Sequence, residues 1–258
     1  MNALRIGWLQ ILENLRKQVH LVTLFLAIIL LAVPSFVNMF AMGTAGFQRI
    51  AKDVGLTLIG YYAALFALYF GSTTIPKDIE RKTIYPILAR PISRLSYVVG
   101  QFFGISVMGA VSFVVLGACF WGALLILAQS PEDNRFFWAI YAQFLESSVL
   151  LAACMLFSTR TSPPLAAVLG MFTYIVGGLS NGFIHYFIVE DRENAALATF
   201  VRGIKALLPN FEVFRIKMAV VHWMPLTASY MASITCYALG WVVLLLLLTE
   251  LSFSRKDL

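Results

Sequence analysis

Residues 55–104 read GLTLIGYYAALFALYFGSTTIPKDIERKTIYPILARPISRLSYVVGQFFG. The stretch up to Thr74 has no charged residue, and none occurs again from Leu95 through Gln129, yet seven lie between Lys77 and Arg94. About 20 consecutive apolar residues are what a helix needs to cross a hydrocarbon layer of about 30 Å. The segment therefore describes two membrane-crossing helices joined by a charged connection.

The whole chain follows the same pattern. Of its 258 residues 60% are hydrophobic and 12% charged, where soluble domains carry about a quarter charged residues. Six apolar segments can be counted, at 20–41, 55–74, 98–129, 136–158, 165–188 and 229–249. The third is too long for a perpendicular span and must tilt, project or break. The first follows amphipathic residues 1–18, exceeds the length of a signal-peptide core and precedes no small-x-small cleavage site, so it is expected to remain as a helix. The expected fold is an all-α integral membrane protein, one domain over 1–258 with six transmembrane helices.

An even number of spans puts both termini on one side. Eleven of the 19 Lys and Arg fall on that side and eight on the other, five of these in one connection. The positive-inside rule then makes the termini cytoplasmic, in a multi-pass protein expected in a bacterial inner membrane. The net charge of +6 records this orientation rather than nucleic-acid binding.

Three segments outside the spans carry pattern. Residues 1–18 place Leu4, Trp8, Ile11, Leu12 and Leu15 opposite Arg5, Glu13, Asn14, Arg16 and Lys17, a helix lying in the interface. It either anchors the first span or grips a partner. Residues 189–228 form an external connection with apolar pieces punctuated by Pro209 and Pro225; a structureless loop of that length is uncommon, so short helices on or in the outer leaflet are expected. In the cytoplasmic loop 75–97, Pro76 is expected to end the second span. A short helix over 77–88 would then carry Asp78 and Glu80 in its first turn, where acids suit the helix dipole. Its apolar face is Ile79, Thr83, Ile84 and Ile87, beside Arg81 and Lys82. Pro91 breaks that helix, and Ser93 can cap the next one from Arg94. Such an amphipathic hook suits docking into a groove on a soluble partner; the plainer alternative is a solvated basic loop that only sets topology.

Catalytic groups do not converge. His20, His185 and His222 stand far apart, no Ser-based motif occurs, and no G-x-x-x-x-G-K-[ST] phosphate loop is present. Cys119, Cys154 and Cys236 share no metal or redox spacing and are expected to be small core residues. The one acid within a span is Glu146, with Gln143 and Ser147 nearby. An acid at the bilayer centre costs at least about 2.5 kcal/mol and signals function by default; alternatively the span starts later and Glu146 sits at an interface near the helix N-terminus.

The loop resembles the signature of ABC-2 type ABC-transporter permeases: an acid, a Thr, a Leu-rich turn, a Pro-x-Ser-Arg element and a Tyr-x-x-Gly entry into the third span. Here these are Glu80, Thr83, Ile87 and Leu88, Pro91, Ser93 and Arg94, then Tyr97, Gly100 and Phe103, with Lys82 where the family often has Gly and Gln101 where it usually has Lys. The resemblance implies the permease of an ATP-driven exporter whose ATPase is a separate polypeptide. Two ATPase subunits would bind ATP and Mg, and this chain would bind no cofactor. It would pair with a second copy or close relative, surrounded by lipid, and the external connection could meet an accessory protein. The ATPase-coupling residues would be Asp78, Glu80, Arg81, Thr83, Ile84, Ile87, Arg90 and Arg94. Two other functions fit the sequence: an anchoring or assembly subunit that moves nothing, and an ion-driven transporter using Glu146. Few charges line the spans, which points to lipid-linked, hydrophobic or peptide cargo. Tyr61, Tyr62, Tyr69, Phe102 and Phe103 either line its path or belong to packing and aromatic belts.

Overall fold

The computed structural model describes residues 7–10, 19–38, 44–80, 94–128, 135–178, 203, 208–222, 224 and 226–254. Every regular element among them is helical: α1 (Val19–Asn38), α2 (Thr44–Glu80), α3 (Arg94–Ala128), α4 (Arg135–Ser158), α5 (Pro163–Gly177), a 3-10 turn (Phe211–Phe214), α6 (Lys217–Val221) and α7 (Ala228–Ser254). Four helices are long and apolar enough to cross a membrane, over Arg49–Glu80, Arg94–Ile126, Arg135–Ser158 and Ala228–Phe253. The segments 20–41 and 165–188 also contain apolar helices, whose described apolar stretches, Thr23–Pro34 and Pro163–Gly177, are shorter.

The centre of the bundle is α4. Of its most apolar stretch 78% is buried, against 50% or less in the other three long helices. It packs against α2, α5 and α7, and small side chains let these neighbours approach. Cys154 of α4 lies between Gly71 of α2 and Gly170 of α5, and a Cβ on either glycine would collide with the Cys154 side chain. Close packing of this kind replaces the hydrophobic effect as the force between helices in lipid. The outward faces stay apolar: Leu24, Phe25 and Ile28 of α1 and Leu239, Val243 and Leu247 of α7 are exposed. An outer shell of this character suits lipid rather than water, as for an integral membrane protein.

The structure departs from expectation at Pro76 and at two of the cysteines, and at the third segment it selects among the stated alternatives. Pro76 does not end the second span; α2 runs through it to Glu80. A proline forfeits its own N–H bond to the Ser72 carbonyl and sets its ring against that carbonyl, a cost met here by the neighbouring residues. The turn before it is tied back by Thr73 Oγ1 to Tyr69 O (2.6 Å) and Thr74 Oγ1 to Phe70 O (2.7 Å), and Ile75 is fully buried in the bundle. Asp78 and Glu80 therefore stand on the last turn of α2 rather than the first turn of a separate helix. The long third segment is one unbroken 35-residue helix, about 52 Å at 1.5 Å per residue, so it tilts or projects rather than breaking. Of the cysteines, Cys154 alone is fully buried, while Cys119 is half-buried and Cys236 exposed on α7, because the outward face of α7 is itself apolar.

Candidate functional site

Two polar regions stand at opposite ends of α2. At its Glu80 end, Asp78 accepts hydrogen bonds from the Tyr97 hydroxyl (2.6 Å) and Gln101 Nε2 (2.7 Å) of α3. Tyr97 is fully buried and stacks on Phe253 of α7, with ring centroids 5.9 Å apart. Arg94, at the start of α3, lies over the same Phe253 ring and donates through Nη1 to the Phe253 carbonyl (3.0 Å). Thr159 Oγ1 and Arg160 Nε, just beyond α4, both reach Ser252 Oγ at 2.9 Å. The described N-terminal residues join this end: a Cβ on Gly104 of α3 would clash with the Gly7 backbone. Gln10 is buried there, while Trp8 and Leu9 are exposed. The ends of α2, α3, α4 and α7 thus form one clamp from which residues 81–93 emerge. Arg81, Thr83, Ile84, Ile87 and Arg90 lie outside the described residues, as do residues 11–18; Asp78 and Arg94 are clamp members, and Glu80 is exposed.

At the other end, residues 208–222 fold over the bundle. Asn210 accepts from the Glu212 N–H (3.1 Å) and caps the 3-10 turn, burying Phe211 and Phe214. The Asn210 N–H donates to the Tyr237 hydroxyl of α7 (2.7 Å), and the Tyr230 hydroxyl donates to Val213 O (3.1 Å). Beneath this segment is a cavity of about 400 Å³, walled by Leu56, Thr57, Gly60 and Tyr61 of α2, Ala139, Gln143 and Glu146 of α4 and Tyr174 of α5. Phe214, Arg215, Lys217 and Met218 close it from above. At the rim, Lys217 Nζ pairs with Asp53 Oδ1 and with Thr57 Oγ1, both at 2.9 Å. The exposed Arg215 guanidinium lies over the Tyr174 ring and donates to Gly178 O (3.1 Å), closing the C-terminal end of α5.

The deep wall is less complete. Glu146 is 6% exposed and Gln143 9%. Gln143 Nε2 donates to Leu56 O (2.8 Å), and Tyr174 lies within hydrogen-bonding reach of the Glu146 carboxylate. Glu146 Oε1 and Gln143 Oε1 have no partner. Glu146 is placed midway along α4, about 16 Å from its N-terminus. Ser147 is not part of the wall: its hydroxyl bonds back to Phe144 O (2.8 Å). Of the aromatics, Tyr61 stands exposed at the cavity mouth. Tyr62 is core, bonded to Thr23 and packed on Phe66 and Phe113, whereas Tyr69 and Phe103 face outward.

The model of the family described as ABC-2 family transporter protein matches residues 15–258. The chain belongs to that family. A comparison with curated proteins returned no match. An ABC-2 chain is a transmembrane transport subunit, not itself the ATPase, and such permeases generally work with ABC ATPase subunits. In this ABC-2 chain, Gln101, where the family usually has Lys, still gives Asp78 an N–H donor.

Sequence pattern marked Glu146 and Gln143 but missed Asp53, Thr57, Arg215 and Lys217, which are brought to them from α2 and from the segment before α7. Arg215 and Lys217 entered only the topology count. The acid–base pair Asp53 and Lys217 is separated by more than 160 residues, and no local spacing connects it. In the clamp, Tyr97 was marked by family pattern and Phe253 by its place in a family-like C-terminal stretch, but no sequence signal connected Phe253 with Arg94.

Proposed function

We propose that this chain is the permease of an ABC exporter and that residues 81–93, with Asp78, Glu80 and Arg94 at their base, take up movement from a separate ATPase. The clamp supports this most. A loop that only set topology would need no half-buried carboxylate held by two buried donors at its root. Here Asp78, Tyr97, Gln101, Arg94 and Phe253 make α2, α3 and α7 one mechanical unit. A push on the loop is then passed to three helices at once, the kind of rigid-body lever by which small displacements become large ones.

In this scheme the loop faces the cytoplasm together with both termini, in a bacterial inner membrane, and all six apolar segments cross. Two copies of the chain, or one with a close relative, stand on two ATPase subunits that hold ATP and Mg. Arg81, Thr83, Ile84, Ile87 and Arg90 make the contact, and the N-terminal helix adds a second. Cavity and covering segment then face outward, where cargo leaves and an accessory protein can bind. The test is ATP hydrolysis by the cognate ATPase in proteoliposomes with and without the permease. Stimulation by the wild-type chain, lost for the most part with Asp78→Ala at equal membrane yield, is the expected outcome. Turnover indifferent to the permease and to the substitution would leave an anchoring subunit as the better account.

A further inference from the structure

We infer that the cavity beneath residues 208–222 is a binding site for a primary ammonium group carried on an apolar body. The deep wall holds two acceptor atoms without a donor, Gln143 Oε1 and Glu146 Oε1. Gln143 Nε2 is committed to the Leu56 carbonyl, which fixes the amide so that Oε1 points elsewhere; the flipped amide would set two acceptors against each other. Glu146 Oε1 lies one helical turn away on the same face, also unpartnered. Both side chains are at least nine-tenths buried. Buried polar atoms left unmatched are uncommon and costly, and two together on the wall of a cavity describe a place where a donor belongs.

The surroundings select the donor. The neighbouring cations do not bond to these two atoms: Lys217 is held by Asp53 and Thr57, and Arg215, although its charge acts on Glu146, bonds to Gly178 O and lies over the Tyr174 ring. A hydroxyl brings one O–H donor and no charge. A primary ammonium brings three N–H groups from one atom, and a charge-assisted bond to a carboxylate is roughly twice as strong as a neutral one. Tyr61, Tyr174 and Phe214 supply aromatic walls of the sort that favour a cation. A hard metal ion needs six or more oxygens. No group of three or more His, Cys, Asp or Glu suited to a metal exists among the described residues. The body of the ligand is set by the mouth, where Tyr61 and Met218 are exposed apolar surface. As a substrate class this rests on the permease assignment; as a binding site it does not.

The test needs no ATPase, so its failure is distinct from failure of the coupling experiment. The full chain is placed in phosphatidylcholine nanodiscs, and radiolabelled octylamine is titrated by equilibrium dialysis against empty discs. The expected result is saturable binding, at least about tenfold weaker for Glu146→Gln, for trimethyloctylammonium, which has no N–H, and for octanol, which has no charge. Discs containing phosphatidylethanolamine then name the source: a shifted octylamine curve assigns the site to an aminolipid headgroup, and an unshifted one to a free amine. No saturable binding above empty discs, equal binding of octanol or of the trimethyl analogue, or undiminished binding by a Glu146→Gln chain whose unfolding midpoint is at or above that of the wild type would overturn the inference. Should that variant not fold, Gln143→Leu and the analogue series on the wild-type chain decide it in the same way.

Discussion

Asp78 and Glu146 are both acids in helices of the same bundle, and they are matched differently, although Gln101 Oε1 beside Asp78 is itself unpartnered. Asp78 accepts from a phenol and an amide at 2.6 and 2.7 Å, in a clamp whose members also hold α7. Glu146 has one oxygen with no partner, beside a Gln143 in the same condition. A matched carboxylate rigidifies what surrounds it, whereas an unmatched one is kept at the expense of stability. The first arrangement suits a part that transmits force, and the second suits a part that waits for something to bind. Packing agrees, since the clamp is built on fully buried Tyr97 and Phe253, while the cavity keeps exposed Tyr61 and Met218 at its mouth.

Four measurements of unfolding in detergent or bicelles would break or sharpen this contrast. Phe253→Ala removes a fully buried ring on which Tyr97 and Arg94 both rest, and should cost about 3–4 kcal/mol. Asp78→Ala leaves the Tyr97 hydroxyl and Gln101 Nε2 without their acceptor and should cost about 2–3 kcal/mol. Glu146→Gln keeps the shape, removes an under-compensated charge, and should stabilise by about 1 kcal/mol. If the two acid substitutions shift the unfolding midpoint in the same direction, the contrast fails. The smallest effect belongs to the rim: a double-mutant cycle with Asp53→Ala and Lys217→Ala should give a coupling of about 0.5 kcal/mol, since both side chains are partly exposed. A coupling several times larger would make the covering segment as firmly held as the clamp.

The clamp was partly legible in the sequence because loop 75–97 concentrates charge where an apolar chain otherwise has none. Asp78 and Arg94 stood out for that reason, although Pro76 misled about the helix that carries Asp78. A local breaker loses to burial: Ile75 at 0% exposure and the hydroxyls of Thr73 and Thr74 hold the turn. The cavity was legible at Glu146 and Gln143 and, among the aromatics, at Tyr61. Ser147 shares their stretch of helix but points about 100° away from Glu146 and bonds to its own backbone.

Hydropathy is a sum over neighbouring residues, so the amino-acid sequence by itself determined that this is a helical membrane protein and where its apolar segments and scarce charges lie. Which charges meet is a matter of register between helices distant along the chain. Only the tertiary structure decided that Lys217 reaches Asp53, that Arg215 closes α5 above Glu146, and that Asp78 faces Tyr97 and Gln101. Where the donors are buried, as Tyr97 and Gln101 are, such a meeting outweighs the local preferences that a sequence displays.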